Sequence, residues 1–202
     1  YSASINEQGR VGFMIYLVAG IFVFLGIHSV RLVAPDFRER QIAAHGKGRW
    51  RIIYSVVSLA GLALLVWGYG QARMDNVYFY SPPLWLNHVQ VLLMLPAMIL
   101  VITSDLPVGH IKKTLKNPML IGIKLWALGH LLVNGDLASL LLFGTFLVWA
   151  VLVMISTKRR GQTFPEKVNL KGDLVAVLGG IALWVAIIFW LHEWLIGVPV
   201  IA

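Results

Sequence analysis

The sequence predicts an all-α integral membrane protein, a single domain over residues 1–202 that forms a bundle of six transmembrane helices. Three observations lead to this fold class. Hydrophobic residues make up 58% of the 202 residues and charged residues only 13%, whereas a soluble domain contains about 45–50% and about 25%. Apolar stretches of membrane-spanning length recur along the chain, and Lys and Arg residues collect in every second loop between them. No segment shows the alternation of a membrane β-strand.

Six segments qualify or nearly qualify as spanning helices, for which about 20 mostly apolar residues are needed. The third helix begins after Pro82 and Pro83, and Pro118 opens the fourth, which is the shortest, at a first-turn position that needs no N–H. A tight turn at Asn134-Gly135-Asp136 ends the fourth helix and begins the fifth. In chain order, the predicted helices cover about residues 11–33, 52–69, 84–103, 118–133, 137–156 and 174–196.

The positive residues predict the orientation of these helices. Fourteen of the 17 Lys and Arg residues fall in the first, third and fifth loops, whereas Arg10 and Arg73 lie on the other side. Such loops face the cytoplasm, so both termini are expected in the periplasm and the protein in a bacterial cell inner membrane. The net charge of +8 therefore indicates membrane topology rather than a nucleic-acid partner. The absence of cysteine excludes thiolate zinc sites, iron–sulfur clusters and cysteine nucleophiles.

Four histidines fall within or near the ends of the predicted helices, where polar groups are costly and therefore functional candidates. Neutral imidazole ligates metals and haem iron, and facing helices of a bundle are a usual place for such a cofactor. With a rise of about 1.5 Å per residue, His88, His130 and His192 share a level near the outer surface, whereas His28 lies nearer the inner side. Depth favours a group of those three, and an oblique macrocycle between His28 and His130 stays open. Asp136 is expected to cap the fifth helix rather than to orient His130.

Several strings resemble a known family. The fourth helix and its entry read KNPMLIGIKLWALGHLLVNGD over residues 116–136, GIHS occupies residues 26–29, and PPLWLNH occupies residues 82–88. Together with SLAGL and WGY in the second helix, LFG in the fifth and the KRR that follows it, these strings resemble the NnrU family of integral membrane proteins over most of the chain, up to about residue 161. That family is named for a role around nitrite and nitric oxide reduction.

The resemblance implies a cofactor. The NnrU family is similar to the plant 15-cis-zeta-carotene isomerase, an integral membrane enzyme that isomerises a carotenoid double bond using haem b. The axial histidines of that relative match His28 and His130 by motif position. The resemblance therefore implies haem iron held by His28 and His130, with His88 and His192 as alternative ligands. One departure is Asn117, where the family usually has His, and it places in doubt any activity that needs that imidazole.

Three functions stay open, and whether the protein is an enzyme is left open with them. The first is a haem b protein with a role in carotenoid or lipid isomerisation or in denitrification-linked redox chemistry. The second is a non-enzymatic accessory or assembly subunit of a membrane redox complex. The third is a membrane methyltransferase resembling the isoprenylcysteine carboxyl methyltransferases, whose basic-His-Pro motif is similar to Lys116-Asn117-Pro118 but has the His that is missing here. Expected partners are the lipid bilayer, a carotenoid or other apolar ligand, and redox-complex subunits.

Overall fold

The fold is all-α, as predicted. A computed structural model describes residues 2–75, 77–161, 164–165 and 168–200, and every regular element within these ranges is helical. A short 3-10 turn follows α2, and a π-helical turn of five residues joins α7 to α8. The helices are α1 (Ser2–Val33), α2 (Pro35–Ala72), α3 (Trp85–Asp105), α4 (His110–Leu115), α5 (Pro118–Val133), α6 (Leu137–Arg160), α7 (Leu170–Ala186) and α8 (His192–Ile196).

All six predicted apolar segments are helical, and five helices among the described residues are long and apolar enough to cross a membrane. These five are Met14–Val33, α2, α3, α6 and the continuous stretch Leu170–Ile196. The remaining predicted span is α5, which has 16 residues and is shorter than the usual 20 or so. The chain is therefore a multi-pass membrane protein whose fourth predicted span is a short helix.

The main difference from the prediction lies before residue 52, where a loop was expected and α2 is already helical. Pro35 occupies its first turn, where proline is tolerated, and the polar residues that follow include good helix formers. Gly46 interrupts the helix with a φ of 80°, a backbone conformation that favours glycine. α2 thus consists of a polar segment over residues 35–45 and a longer, mainly apolar segment over residues 47–72.

The helices form two compact units, the first over residues 1–80 and 136–145, the second over residues 81–135 and 146–202. In the first unit, α1 and α2 pack against each other through glycines. A Cβ atom at Gly68 would lie 2.5 Å from the backbone nitrogen of Leu17, and one at Gly61 would lie 2.8 Å from that of Phe24. Later residues of α2 thus meet earlier residues of α1, which makes the pair antiparallel and very closely spaced.

In the second unit, α3 packs against both α5 and α7. A Cβ atom at Gly180 in α7 would lie 2.5 Å from the Cα of Ile99 in α3, so only glycine fits this crossing. The indole N–H of Trp184 donates to the backbone carbonyl of Val91 at 3.0 Å. These contacts hold α7 against the middle of α3 and fix which faces of the two helices meet.

The loop between α3 and α5 is tied down by charged side chains of the second unit. The buried carboxylate of Asp173 in α7 accepts hydrogen bonds of 2.7 and 3.1 Å from the first two backbone N–H groups of α4. The ammonium of Lys112 donates to two backbone carbonyls at the end of α3, at 2.7 and 2.9 Å. Both interactions satisfy helix-terminal groups that have no partner within their own helix.

Candidate functional site

The half-buried His28 lies one and a half turns before the end of α1, and its ring is clamped by its own helix. The ring Nδ1 lies 2.7 Å from the backbone carbonyl oxygen of Phe24. Because a carbonyl oxygen only accepts, Nδ1 carries a proton, and in the neutral imidazole the lone pair then lies on Nε2. The ring centroids of Phe24 and of Tyr54 in α2 lie 4.3 and 5.3 Å from that of His28. The ring is therefore held in one orientation by a hydrogen bond and two aromatic neighbours.

His28 also borders a cavity of about 330 Å³ between α1 and α2. This volume is at the lower end of the range of about 300–1,000 Å³ that is typical of small-molecule sites. Three guanidinium groups line it together with an indole, a phenol and aliphatic side chains, and no carboxylate does. We call this the arginine cavity; it is lined by Ile27, His28, Val30, Arg31, Arg38, Trp50, Arg51, Tyr54 and Ser55.

His130 lies in the last turn of α5 and is clamped in the same way. Its Nδ1 lies 2.8 Å from the backbone carbonyl oxygen of Trp126, so its Nε2 also carries the lone pair. The indole of Trp126 lies 5.3 Å from the imidazole and 5.4 Å from the ring of Phe146. Asn134 donates both its backbone N–H and its side-chain amide to the carbonyl oxygen of His130, which closes the end of α5. The side chains that these contacts place next to the imidazole are therefore aromatic.

The other two histidines differ from this pair. His192 follows the π-helical turn, its Nδ1 donates to the backbone carbonyl of Val198 at 2.7 Å, and an electrostatic interaction links it to His130. His88 is exposed on α3. The described residues contain no group of three or more His, Asp or Glu side chains arranged to hold a metal ion. His88, His130 and His192 are therefore not united in such a group within the described residues, and their roles as haem ligands stay a prediction.

The expectation that Asp136 caps the fifth predicted helix is confirmed. One carboxylate oxygen accepts from the backbone N–H of Ser139 at 2.8 Å, and the other accepts from its hydroxyl at 2.7 Å. The phenol of Tyr69 pairs with the same hydroxyl at 3.0 Å. Asp136 and Ser139 are both buried, so this cap ties α2 to the start of α6 within the first unit.

The arginine cavity is the feature that sequence reasoning missed. Arg31 follows His28 by one helical turn, a spacing that places both on one face, and the sequence itself carries that signal. Arg38 and Arg51 come from a stretch predicted to be a loop, so their convergence on His28 needed the helical start of α2. All three were interpreted only as markers of membrane orientation.

The donor chemistry of His28 and His130 fits haem b. Axial ligation needs neutral imidazoles that offer a lone pair, and a metal-binding histidine usually donates its other ring N–H to a carbonyl or carboxylate. Each of the two imidazoles donates Nδ1–H to a backbone carbonyl, so in the neutral ring the lone pair lies on Nε2. His28 belongs to the first unit and His130 to the second, and their pairing stays a prediction.

Comparison with known proteins identifies a family. The model of the family described as NnrU protein matches residues 16–200, nearly the whole chain. No curated protein and no solved structure matches the sequence.

Proposed function

Because the chain belongs to the NnrU family, we propose that it is a membrane protein that binds haem b through His28 and His130. One observation carries the proposal. Each imidazole donates its Nδ1–H to the carbonyl four residues earlier in its own helix, at 2.7 and 2.8 Å, so in the neutral ring the lone pair lies on Nε2, the nitrogen that would ligate the iron. Such a hydrogen bond fixes the ring and increases the basicity of the ligating nitrogen. The similarity of the family to a haem-dependent isomerase supports the same pair.

When bound, haem b supplies a redox-active iron that also acts as a Lewis acid. The residues of the chain define what surrounds it. Trp126 and Phe146 provide aromatic neighbours beside His130, whereas His28 has two aromatic neighbours and also borders the arginine cavity. Because the described helices are mostly apolar, a substrate would arrive from the bilayer, as a carotenoid or another lipid does. We propose isomerisation of such a polyene, or denitrification-linked electron transfer, as the role of the iron.

The decisive experiment is a haem assay on the purified full chain. We expect about one haem b per chain in the pyridine haemochrome spectrum, loss of that haem in His130→Ala and in His28→Ala, and retention in His45→Ala. His45 is the matched control because it is an exposed histidine of α2 outside the arginine cavity. A chain that contains no haem, or one whose haem survives both substitutions, would contradict the proposal.

A rescue experiment separates ligand loss from misfolding. His130→Gly removes the imidazole and leaves a space next to Trp126, at a helix cost of about 1 kcal/mol. We expect added imidazole to restore haem binding in His130→Gly and to have no effect in His130→Ala, where the methyl group partly fills the space. Loss of haem in His192→Ala, with His28→Ala unaffected, would instead assign the second ligand to His192.

The distribution of Lys and Arg residues also supports a proposal for the cellular location of the protein. We propose the bacterial inner membrane, with both termini in the periplasm, because the loops rich in Lys and Arg face the cytoplasm. Alkaline phosphatase fused after residue 200 should be active, and the same enzyme inserted near residue 114 should be inactive. Stable co-purification of a haem-free chain with redox subunits would favour the alternative role as an accessory subunit.

A further inference from the structure

The arginine cavity has a composition that the histidine ligands alone do not explain. We propose that it binds the two propionate carboxylates of haem b, with Arg31, Arg38 and Arg51 as their counter-ions. This inference rests on the proposed haem function and adds to it the residues that recognise the polar edge of the cofactor.

Charge is the first argument. Three arginines line one cavity of about 330 Å³, and the residues that line it include no Asp or Glu. Within the part of the chain that the structure describes, no hydrogen bond or ion pair joins these three groups to another residue. Like charges that converge on one space repel each other, so the arrangement is stabilised when an anion enters. Guanidinium groups also match carboxylates in a bidentate geometry.

The order of residues along the helices is the second argument. Arg31 follows His28 by three residues, on the same face and about one turn, or 5 Å, nearer the end of α1. In α2, Arg51 precedes Tyr54 by three residues, and the Tyr54 ring lies 5.3 Å from that of His28. The imidazole thus lies on the membrane side of the cavity and the guanidinium groups lie towards the ends of the helices. A macrocycle with an apolar body and two carboxylates at one edge has the same polarity.

The imidazole also distinguishes this ligand from a phospholipid headgroup. Basic cavities between membrane helices can hold lipid phosphates. A phosphate has no need of an imidazole whose Nε2 carries a lone pair, because a lone pair repels an anion. His28 lines the same cavity as the three arginines, and its neutral ring carries a lone pair on Nε2, which favours a ligand that has both a metal and carboxylates.

The test compares haem with haem dimethyl ester, which keeps the iron and lacks the two charges. The full chain is produced in haem-deficient cells, purified in detergent and titrated with each compound by absorbance. The ester lacks the charge-assisted hydrogen bonds that the propionates would accept, so we expect wild type to bind haem at least about tenfold more tightly than the ester. The triple variant Arg31→Gln/Arg38→Gln/Arg51→Gln should bind both compounds equally.

A matched variant removes the same charge outside the cavity. Arg40→Gln/Lys47→Gln/Arg49→Gln changes three exposed positions of α2, and it should keep the preference of wild type for haem. Binding of the ester by the cavity variant shows that this variant is folded. If the cavity variant does not fold, the comparison of haem with ester in wild type still decides the proposal.

The outcomes separate this inference from the haem function itself. Equal affinity of wild type for haem and ester overturns the inference while the haem function stands, and absence of binding by both compounds overturns both. Retention of phosphatidylglycerol by wild type but not by the cavity variant, together with equal affinity for haem and ester, assigns the cavity to a lipid headgroup. Binding of inorganic phosphate by wild type but not by the cavity variant, together with equal affinity for haem and ester, assigns the cavity to a free anion and also overturns the inference.

Discussion

The two compact units hold their candidate histidines by the same local device and surround them differently. In the first unit, the clamped ring of His28 borders a cavity lined by three arginines. In the second, the clamped ring of His130 packs on Trp126, which packs on Phe146. The hydrogen bond to the carbonyl four residues earlier depends on the helix alone. The surroundings depend on packing, which differs between the two units.

The units also differ in how a buried carboxylate caps a helix. Asp136 caps α6 by binding Ser139, three residues later in the chain. Asp173 caps α4 from a position 62–63 residues away, in α7. The first cap forms with its own helix, whereas the second requires that α4 and α7 already pack together. The cap at Asp173 therefore requires tertiary structure, whereas the cap at Asp136 does not.

The largest expected effect comes from the glycine crossing of the second unit. Gly180→Ala places a Cβ atom 2.5 Å from the Cα of Ile99, and overpacking of this kind costs about 1–3 kcal/mol. Gly179→Ala is the matched control, because its Cβ atom would lie 3.5 Å from a side-chain methyl. Size-exclusion chromatography of heated, detergent-solubilised samples should show a lower apparent Tm for Gly180→Ala only.

The glycine contacts between α1 and α2 in the first unit can be tested with the same thermal measurement. Gly68→Ala meets the backbone of Leu17, whereas a Cβ atom at Gly70 meets nothing within 4 Å. We expect Gly68→Ala to lower the apparent Tm and Gly70→Ala to leave it unchanged or to raise it. Equal behaviour of the two variants would contradict the close approach of α1 and α2.

A smaller effect is expected from the two caps. Removal of a capping side chain costs about 0.5–2 kcal/mol. Asp173→Ala should increase amide hydrogen exchange in α4 and at the end of α3, far away in sequence, whereas Asp136→Ala should increase it at the start of α6. Hydrogen exchange followed by mass spectrometry measures both. An increase in hydrogen exchange only in α7 of Asp173→Ala would contradict the cap of α4 by Asp173.

The aromatic surroundings of His130 should contribute modestly to ligand binding. Aromatic pairs contribute about 0.5–1.5 kcal/mol beyond their buried area, so Trp126→Leu should weaken haem binding by about two- to tenfold. Trp190→Leu is the control, because this tryptophan is exposed on the π-helical turn. An unchanged haem affinity in Trp126→Leu would remove the proposed role of the aromatic contact.

The smallest expected effect concerns Tyr80, which lies outside the helices. Burial raises the pKa of its phenol, and the carboxylate of Asp136 raises it further because it opposes a second negative charge. Asp136→Asn should therefore lower the pKa of Tyr80 towards its ordinary value. Carbon-13 NMR of labelled tyrosine rings, assigned with Tyr80→Phe, measures the shift. A pKa that does not change in Asp136→Asn would contradict the electrostatic coupling.

The sequence predicts the parts of this fold that depend on nearby residues. The bounds predicted for the fourth helix, 118–133, agree with those of α5, because Pro118 opens it and Asn134 and Gly135 end it. The cap at Asp136 was also predicted, because it is formed with residues that are close in the chain. The start predicted for the second helix was wrong, because the polar residues before residue 52 were interpreted as a loop although they are helical. The arginine cavity and the cap at Asp173 depend on residues that are distant in the chain, which composition and spacing do not bring together.

The shortness of α5 has a consequence for the surrounding lipid. Sixteen residues give a helix about 24 Å long, whereas the hydrocarbon core of a bilayer is about 30 Å thick. A span of this length is accommodated by a thinner bilayer, by flanking side chains that extend to its surface, or by association with other helices. His130 lies in the last turn of this helix. Reconstitution into bilayers of increasing acyl-chain length should therefore bury that imidazole progressively deeper.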